Sequence, residues 1–422
     1  MQKRLRHMPM PLDIFSRSTA PNGRVWLNPD LVNNTVPTNL ELRAAIERMP
    51  VSRIREVANK SMGLADVIPL WFGEPDVETP QFIRDAAVQA LADGETFYTP
   101  NRGVPELREA LAKYNSELYG VEIEVDRITV TASGMSAMML AHQLLVEPGS
   151  NIVCPTPQWP NVKGTVDILG GDFRSVPLHF TDDDWELDLN ALFDTVDDDT
   201  TMIFVNSPGN PTGWVMPSEQ QEELLEYCRQ KGLWLVADEV YARIVYGMTY
   251  APSFLEHAKP NDRLIVINSF SKPWAMTGWR LGWLTTPSHL GERLEILNEF
   301  NVAGASTFVQ RAGITALRDG EDFISEQVAR YEAARDYVYE RLVHHSKMRV
   351  ACPKGAFYAF FAIEGIEDDL AFCQNLVRTS KVGLVPGSAF GAEQEGWLRL
   401  CFASKIDTLD HALTRLESAI SD

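Results

Sequence analysis

From residue 128 onward the chain alternates short apolar, β-branched runs with stretches of helical spacing. The runs are Ile128–Thr131, Ile152–Cys154, Met202–Asn206, Leu233–Ala237, Leu264–Asn268 and Leu281–Thr285. Runs apolar on both sides, separated by helices, predict strands of a mostly parallel sheet covered on both faces, an α/β architecture. Ahead of them, Val104, Leu107, Leu111 and Leu118 recur at the spacing of an amphipathic helix. A further helix is expected at Ser218, where Ser218 and Gln221 after Pro217 read as a capping box. From about Asp319 the chain turns charged and helix-rich through Glu326, Arg330, Glu332 and Arg335, and two more strand-like runs follow, Ala356–Ala362 and Trp397–Phe402. That predicts a second, smaller α+β domain, and 422 residues exceed what one simple core accommodates. The first 44 residues, rich in Pro, Asn and Arg, show little periodicity and read as an arm.

Charge and cysteine usage narrow the function classes. Asp plus Glu number 58 against 38 Lys plus Arg, a formal charge of −20. Such a surface repels phosphate backbones and argues against nucleic acid as partner. The five cysteines (Cys154, Cys228, Cys352, Cys373, Cys401) are scattered, an odd number without a Cys-x-x-Cys pair. They read as small buried apolar side chains in a reducing compartment, with no metal site expected. No apolar run is long enough to span a bilayer. The N-terminus has Lys3, Arg4, Arg6 and His7 but no apolar core of a secretory signal. A transit peptide is the alternative to the cytoplasmic location these features favour.

Chemistry-bearing residues gather where strands are expected to end, which is where open α/β sheets bind ligands. Ser269-Phe270-Ser271-Lys272 and then Thr277-Gly278-Trp279-Arg280 follow the run Leu264–Asn268. Two hydroxyls and a forked guanidinium suit a phosphate, with Lys272 among them; the plain alternative is a surface lysine. Asp238 ends another apolar run, with Tyr241 three residues on. A carboxylate there needs a cationic partner, unless it is only a helix cap. Asn206-Ser207-Pro208-Gly209-Asn210-Pro211-Thr212-Gly213 is a tight loop that either presents Asn210 to a ligand or is a simple turn. Thr131-Ala132-Ser133-Gly134-Met135-Ser136 precedes the apolar helix Ala137–Leu145, a small turn that presents free backbone amides and the helix dipole to an anion but is a weak motif by itself. Trp159 ends a further strand and either covers a flat ring or packs in the core.

In this order the segments resemble the class I/II aminotransferases, fold-type I enzymes of pyridoxal 5′-phosphate (PLP) related to aspartate and aromatic aminotransferases. The resemblance runs from about Ile46 to Ala419 and includes Gly73-Glu74-Pro75-Asp76, Tyr98-Thr99-Pro100 before Gly103, and Arg399 in Trp397-Leu398-Arg399-Leu400. It implies that Lys272 holds PLP as a Schiff base and that Asp238 pairs with the ring nitrogen. Tyr241 and Asn210 would bond the phenolic oxygen, and Trp159 would stack on the ring. Ser269, Ser271, Arg280, Gly134 and Met135 would hold the phosphate, together with Tyr98 of a neighbouring subunit, hence a homodimer with shared sites. Arg399, with Gly73 and Asn210, would bind the substrate carboxylate. The implied division is an arm (1–44), a large PLP-binding domain (79–315) and a small domain (45–78 and 316–422).

The function so implied is ping-pong transfer of an amino group from an L-amino acid to a 2-oxo acid through PLP and pyridoxamine phosphate. Three features depart from the family pattern: the arm, Trp71-Phe72 before Gly73, and Met135 in the phosphate turn, where a branch of aspartate aminotransferases has a lysine. Uncharged Met135 and two aromatics predict a neutral donor, aromatic or large aliphatic. Arg102 and Arg24 are the two cations that would reverse this by reaching in, against a plain reading as surface arginines. The rivals on the same fold are a carbon–sulfur β-lyase and a cyclopropane-forming synthase. A PLP-sensing transcription regulator would need a winged-helix module, which the segment before Leu40–Arg48 is too short to provide.

Overall fold

A computed structural model of the chain describes residues 42–181, 183–391 and 396–421. The expected arm, save its last three residues, and Arg24 lie outside them. The chain divides into residues 1–48 and 49–422; the described part of the first carries the short helix Ala44–Glu47.

The second unit is built on a seven-stranded sheet. Its strands in chain order are β1 (Ile128–Thr131), β2 (Asn151–Thr156), β3 (Asp172–Pro177), β4 (Thr200–Asn206), β5 (Trp234–Asp238), β6 (Leu264–Ser269) and β7 (Gly282–Thr285). They lie in the order β1-β7-β6-β5-β4-β2-β3. All neighbouring pairs are parallel except the two made by β7. The six expected strands are present within one or two residues at each end. Strand β3 was not legible beforehand: it is the sheet edge, and of its six residues only Val176 is buried, so it lacks an apolar signature.

Two helices flank the first strand. α1 (Pro105–Tyr119) starts with proline in its first turn and stops at Gly120, whose left-handed backbone lets its N–H reach Ser116 O. Leu107, Leu111, Ala112, Asn115 and Tyr119 are its buried residues; of the expected periodic set Leu107 and Leu111 lie among them, Val104 is the cap and Leu118 is only partly buried. α2 (Gly134–Leu145) leaves β1 directly. α3 (Ser218–Lys231) begins where expected but not by the expected capping box. Pro217 occupies the cap, so Ser218 is already helical; its hydroxyl bonds His257 Nε2 at 2.9 Å, and buried Gln221 donates to Pro252 O at 2.9 Å. The capping box is instead Ser253 with Glu256.

The C-terminal portion supplies α4 (Glu321–Val343), α5 (Ile406–Ser421) and a four-stranded antiparallel sheet. That sheet contains β8 (Met348–Val350), β9 (Tyr358–Ile363), β10 (Val385–Pro386) and β11 (Trp397–Cys401), in the order β8-β9-β11-β10. Ile68–Pro69 pairs in parallel with Val382–Gly383, and Cys401 N donates to Leu70 O at 3.0 Å. These bonds, with Asp76 N donating to Ala403 O at 3.1 Å, lay the segment from Leu70 to Asp76 along the end of β11. All five cysteines are free thiols, four of them buried. Among the described residues, no helix is long and apolar enough to cross a membrane.

Candidate active site

The parallel register aligns the chemistry. Asn206 pairs with Asp238, and Asp238 with Ile267 two residues before Ser269, so β4, β5 and β6 end side by side. Asn206 Nδ2 donates to Asp238 O at 2.9 Å, and Asn206 Oδ1 accepts from Asn210 N at 2.9 Å. The proline-rich loop is thereby tied to β5, with both its Xaa–Pro bonds cis.

An anion cradle forms where β1, β6 and β7 meet. Ser133 caps α2 by accepting from Ser136 N at 2.9 Å, and Gly134 and Met135 are the first residues of the helix. Ser269 and Ser271 hydroxyls are 3.0 Å apart, and Arg280 Nη1 lies 3.5 Å from Ser271 Oγ. Arg280 has a left-handed backbone (φ 55°) rarely adopted by non-glycine residues, and Arg280 Nη1 also donates to Thr277 O at 2.6 Å. The close approach needs glycine at 282: a Cβ there would fall 2.7 Å from Gly134 N. Hydroxyls, a guanidinium and a helix N-terminus converging on one spot are the donor set of a phosphate.

Below the cradle lies an imbalance of buried charge. Asp238 is 5% exposed, and among the described residues the hydrogen bond its carboxylate accepts is a long one from Val240 N, 3.3 Å. Burial pushes its pKa up to about 7, against a weak opposing pull from Lys272. Burial acts on the Lys272 amine in the other direction, down to about 8. Lys272 Nζ donates to Gly73 O at 2.7 Å and stands 5.6 Å from the Tyr241 ring centre. A carboxylate so poorly matched is one that a protonated ring nitrogen would complete.

Arg399, 2% exposed, is held as a fork. Nη1 donates to Asn210 Oδ1 at 2.8 Å, Nη2 bonds Trp71 O, and Nε has no partner among the described residues. Its plane lies between Tyr358 and Phe390, 4.4 and 5.0 Å from the ring centres. An unpaired buried guanidinium N–H is what an incoming carboxylate would satisfy.

The structure therefore gathers Lys272, Asp238, Tyr241, Asn210, Arg399 and Gly73 in one place, with Ser269, Ser271, Arg280, Gly134 and Met135 beside them. Trp159 is half-buried, packed against the core cluster under α2. Tyr98 is 93% exposed and takes no part in this chain's own cluster. Three expectations need correction. Trp71 does not line the site with its ring, which is buried against Gly383; it contributes its carbonyl. Arg102 is neither a solvated surface arginine nor free to reach a ligand: Nε donates to Thr129 Oγ1 at 3.1 Å and Nη2 to Ile128 O at 3.1 Å and to Asp126 O. Asp238 caps no helix; it is the last residue of β5. Tyr358 and Phe390 went unnoticed in the sequence, because an aromatic at the start of a buried strand or in a loop has the look of core.

The family described as Aminotransferase class I and II matches residues 65–416. The chain belongs to that family. It is 34% identical to an aspartate aminotransferase of Pyrococcus horikoshii over 87% of this chain and 94% of that one. It is 31% identical to aromatic-amino-acid aminotransferase 2 of Thermococcus litoralis over 91% and 99%. The crystal structure of a Thermotoga maritima aspartate aminotransferase superposes with a TM-score of 0.84 at 32% identity, covering 90% of this chain and all of that one. The chain is thus a PLP-dependent aminotransferase of fold type I, acting on an amino acid and a 2-oxo acid. The site fits that cofactor on its own terms: the glycine-lined phosphate cradle, the undermatched Asp238 and the enclosed Lys272 amine are the three groups such a molecule requires.

Proposed function

We propose that this aminotransferase takes its amino group from a neutral L-amino acid, aromatic or large aliphatic, in preference to aspartate or glutamate. The observation carrying this reading is the engagement of Arg102, whose Nε and Nη2 are held by Thr129 and by backbone carbonyls of residues 126 and 128. Met135 in the phosphate turn brings no charge, and its sulfur accepts from Asn161 Nδ2 at 3.4 Å. Phe72, half-buried beside Gly73, adds apolar surface. A second carboxylate entering here would lose its hydration without an evident cation to replace it. The test is a donor panel against 2-oxoglutarate and pyruvate, read as kcat/KM. Phenylalanine, tyrosine, methionine and leucine should exceed aspartate and glutamate; the reverse order refutes the reading.

The geometry supports the following residue roles. PLP, when bound, supplies the electron sink that lets the Cα–H bond of an amino acid break. Lys272 Nζ would hold the cofactor, and its free amine would take the proton from the substrate Cα. A pKa of about 8 leaves roughly a tenth of such amines unprotonated at pH 7. Asp238 holds the proton on the ring nitrogen, and Tyr241 and Asn210 serve the phenolic oxygen. Trp159 covers a ring face. Ser269, Ser271, Arg280 and the amides of Gly134 and Met135 hold the phosphate. Arg399 grips the substrate carboxylate, steadied by Asn210 and Trp71 O, and thereby chooses which Cα bond is presented.

The enzyme works as a homodimer in which Tyr98 of one subunit completes the phosphate site of the other. Support comes from Phe97, Tyr98 and Phe300, large side chains each at least 83% exposed. The separate seven- and four-stranded sheets support a large domain at 79–315 and a small one at 45–78 with 316–422. Five free thiols support a cytoplasmic location, which cell fractionation would check.

A further inference from the structure

Tyr358 is the first residue of β9, fully buried, and it touches three parts of the site at once. Its hydroxyl is 2.7 Å from Tyr241 Oη, with the two rings edge to face at 80°. The face of its ring carries the Arg399 guanidinium at 4.4 Å. Its hydroxyl is also wedged against Gly73, since a Cβ there would fall 1.7 Å from Tyr358 Oη. The carbonyl of that glycine accepts the Lys272 amine. We infer that Tyr358 is a positioning residue for transamination: its hydroxyl holds Tyr241 Oη toward the cofactor's phenolic oxygen, and its ring holds Arg399 for the substrate carboxylate. This rests on the cofactor-binding reading above.

Proton counting fixes the direction. Each phenol has one proton. Tyr241 must spend its own on the cofactor's phenolic oxygen, so between the two tyrosines Tyr358 is the donor. A hydroxyl that accepts a hydrogen bond becomes a stronger donor, so Tyr358 strengthens what Tyr241 gives. The titratable and charged groups facing the pair are Arg399, Asp238, Lys272 and the Cys401 thiol. Buried tyrosine pairs also occur as mere packing, and the two roles separate by experiment.

The test is Tyr358→Phe in the holoenzyme, which keeps the ring and removes the hydroxyl. PLP should stay bound and KM stay within about twofold, while kcat falls about 3–10-fold. The pH midpoint of the cofactor's visible absorbance should rise by about 0.3–1 pH unit, because a weaker Tyr241 bond leaves more charge on the phenolic oxygen. In a Tyr241→Phe background the same substitution should move the midpoint by nothing further. Tyr358→Leu should in addition raise KM about tenfold, as Arg399 loses its platform. Should Tyr358→Phe not fold, Gly73→Ala replaces it, since the added methyl displaces the hydroxyl and should raise the midpoint likewise. An unmoved midpoint in Tyr358→Phe, or an equal shift with and without the Tyr241 hydroxyl, overturns the inference. Failure of the underlying reading looks different: the parent enzyme itself would then show no lysine-dependent absorbance to titrate.

Discussion

Asp238→Asn isolates the cost of holding a carboxylate under the cofactor. In the folded protein, burial raises the Asp238 pKa from 3.8 to about 7. A raised pKa means the folded state binds the proton more tightly than the unfolded state does. Its stabilising effect is therefore complete below about pH 4 and is lost as pH rises through about 7. Relative to the protonated limit, ionisation costs the apoenzyme about 1.7 kcal/mol at pH 5 and about 4 kcal/mol at pH 8. Asparagine keeps the shape and the bond from Val240 N but never ionises. The stability of apo Asp238→Asn minus that of apo parent should then grow by about 2–3 kcal/mol between pH 5 and pH 8. His142, lowered to about 4, titrates in both proteins and cancels in the difference, as does Glu239, raised to about 8 chiefly by burial, apart from the lesser part that the Asp238 charge contributes. Urea unfolding of the two apo proteins across that range measures it. With PLP bound, the order should invert at pH 8, because the ring nitrogen pairs with Asp238 and not with the amide. Turnover should fall by about 10²–10⁴, the cost of one buried charge-assisted pair. A difference that is flat or shrinks from pH 5 to pH 8 refutes the argument.

Lys272→Ala should bind PLP through the phosphate cradle yet lose essentially all transamination and the lysine-dependent visible absorbance; near-normal turnover would sink the assignment. Light scattering of the active enzyme should give a mass near twice the 47.3 kDa of one chain, and Tyr98→Phe should weaken PLP retention without changing that mass. An active monomer contradicts the shared site.

The strands of the large sheet were legible because both faces of each are covered, leaving unbroken apolar runs such as Ile265–Ile267. The edge strand Asp172–Pro177 carried no such signal. The phosphate cradle was legible because each of its two pieces is contiguous in sequence: the small turn between β1 and α2, and the stretch 269–280 that follows β6. The network around Arg399 was legible only in part: Arg399 and Asn210 were, while Trp71 O, Tyr358 and Phe390 were not, because they reach it from separate stretches of the chain. Tyr358 shows the difficulty sharply. Its neighbours Phe357, Phe360 and Phe361 are ordinary core, and only the 2.7 Å approach to Tyr241 separates it from them.

The side-chain pocket is where residue type and residue role part company. Trp71 and Phe72 stand adjacent in sequence, and apolar character alone would place both rings in the pocket. Gly383 decides otherwise: without a Cβ it admits the Trp71 indole into the core, and a methyl there would fall 1.9 Å from the ring. With its ring buried, Trp71 presents only its carbonyl, to Arg399. Arg102 follows the same logic with the opposite sign. It is a cation in the loop beside Tyr98, yet the carbonyls of residues 126 and 128 and the Thr129 hydroxyl hold its Nε and Nη2. To serve a substrate carboxylate it would have to give up three hydrogen bonds, a loss of about 3 kcal/mol before any gain. A strongly acidic donor thus meets a site in which Arg102 is engaged elsewhere. The donor preference proposed above therefore rests on Arg102, Met135 and Phe72, and no longer on the Trp71 ring.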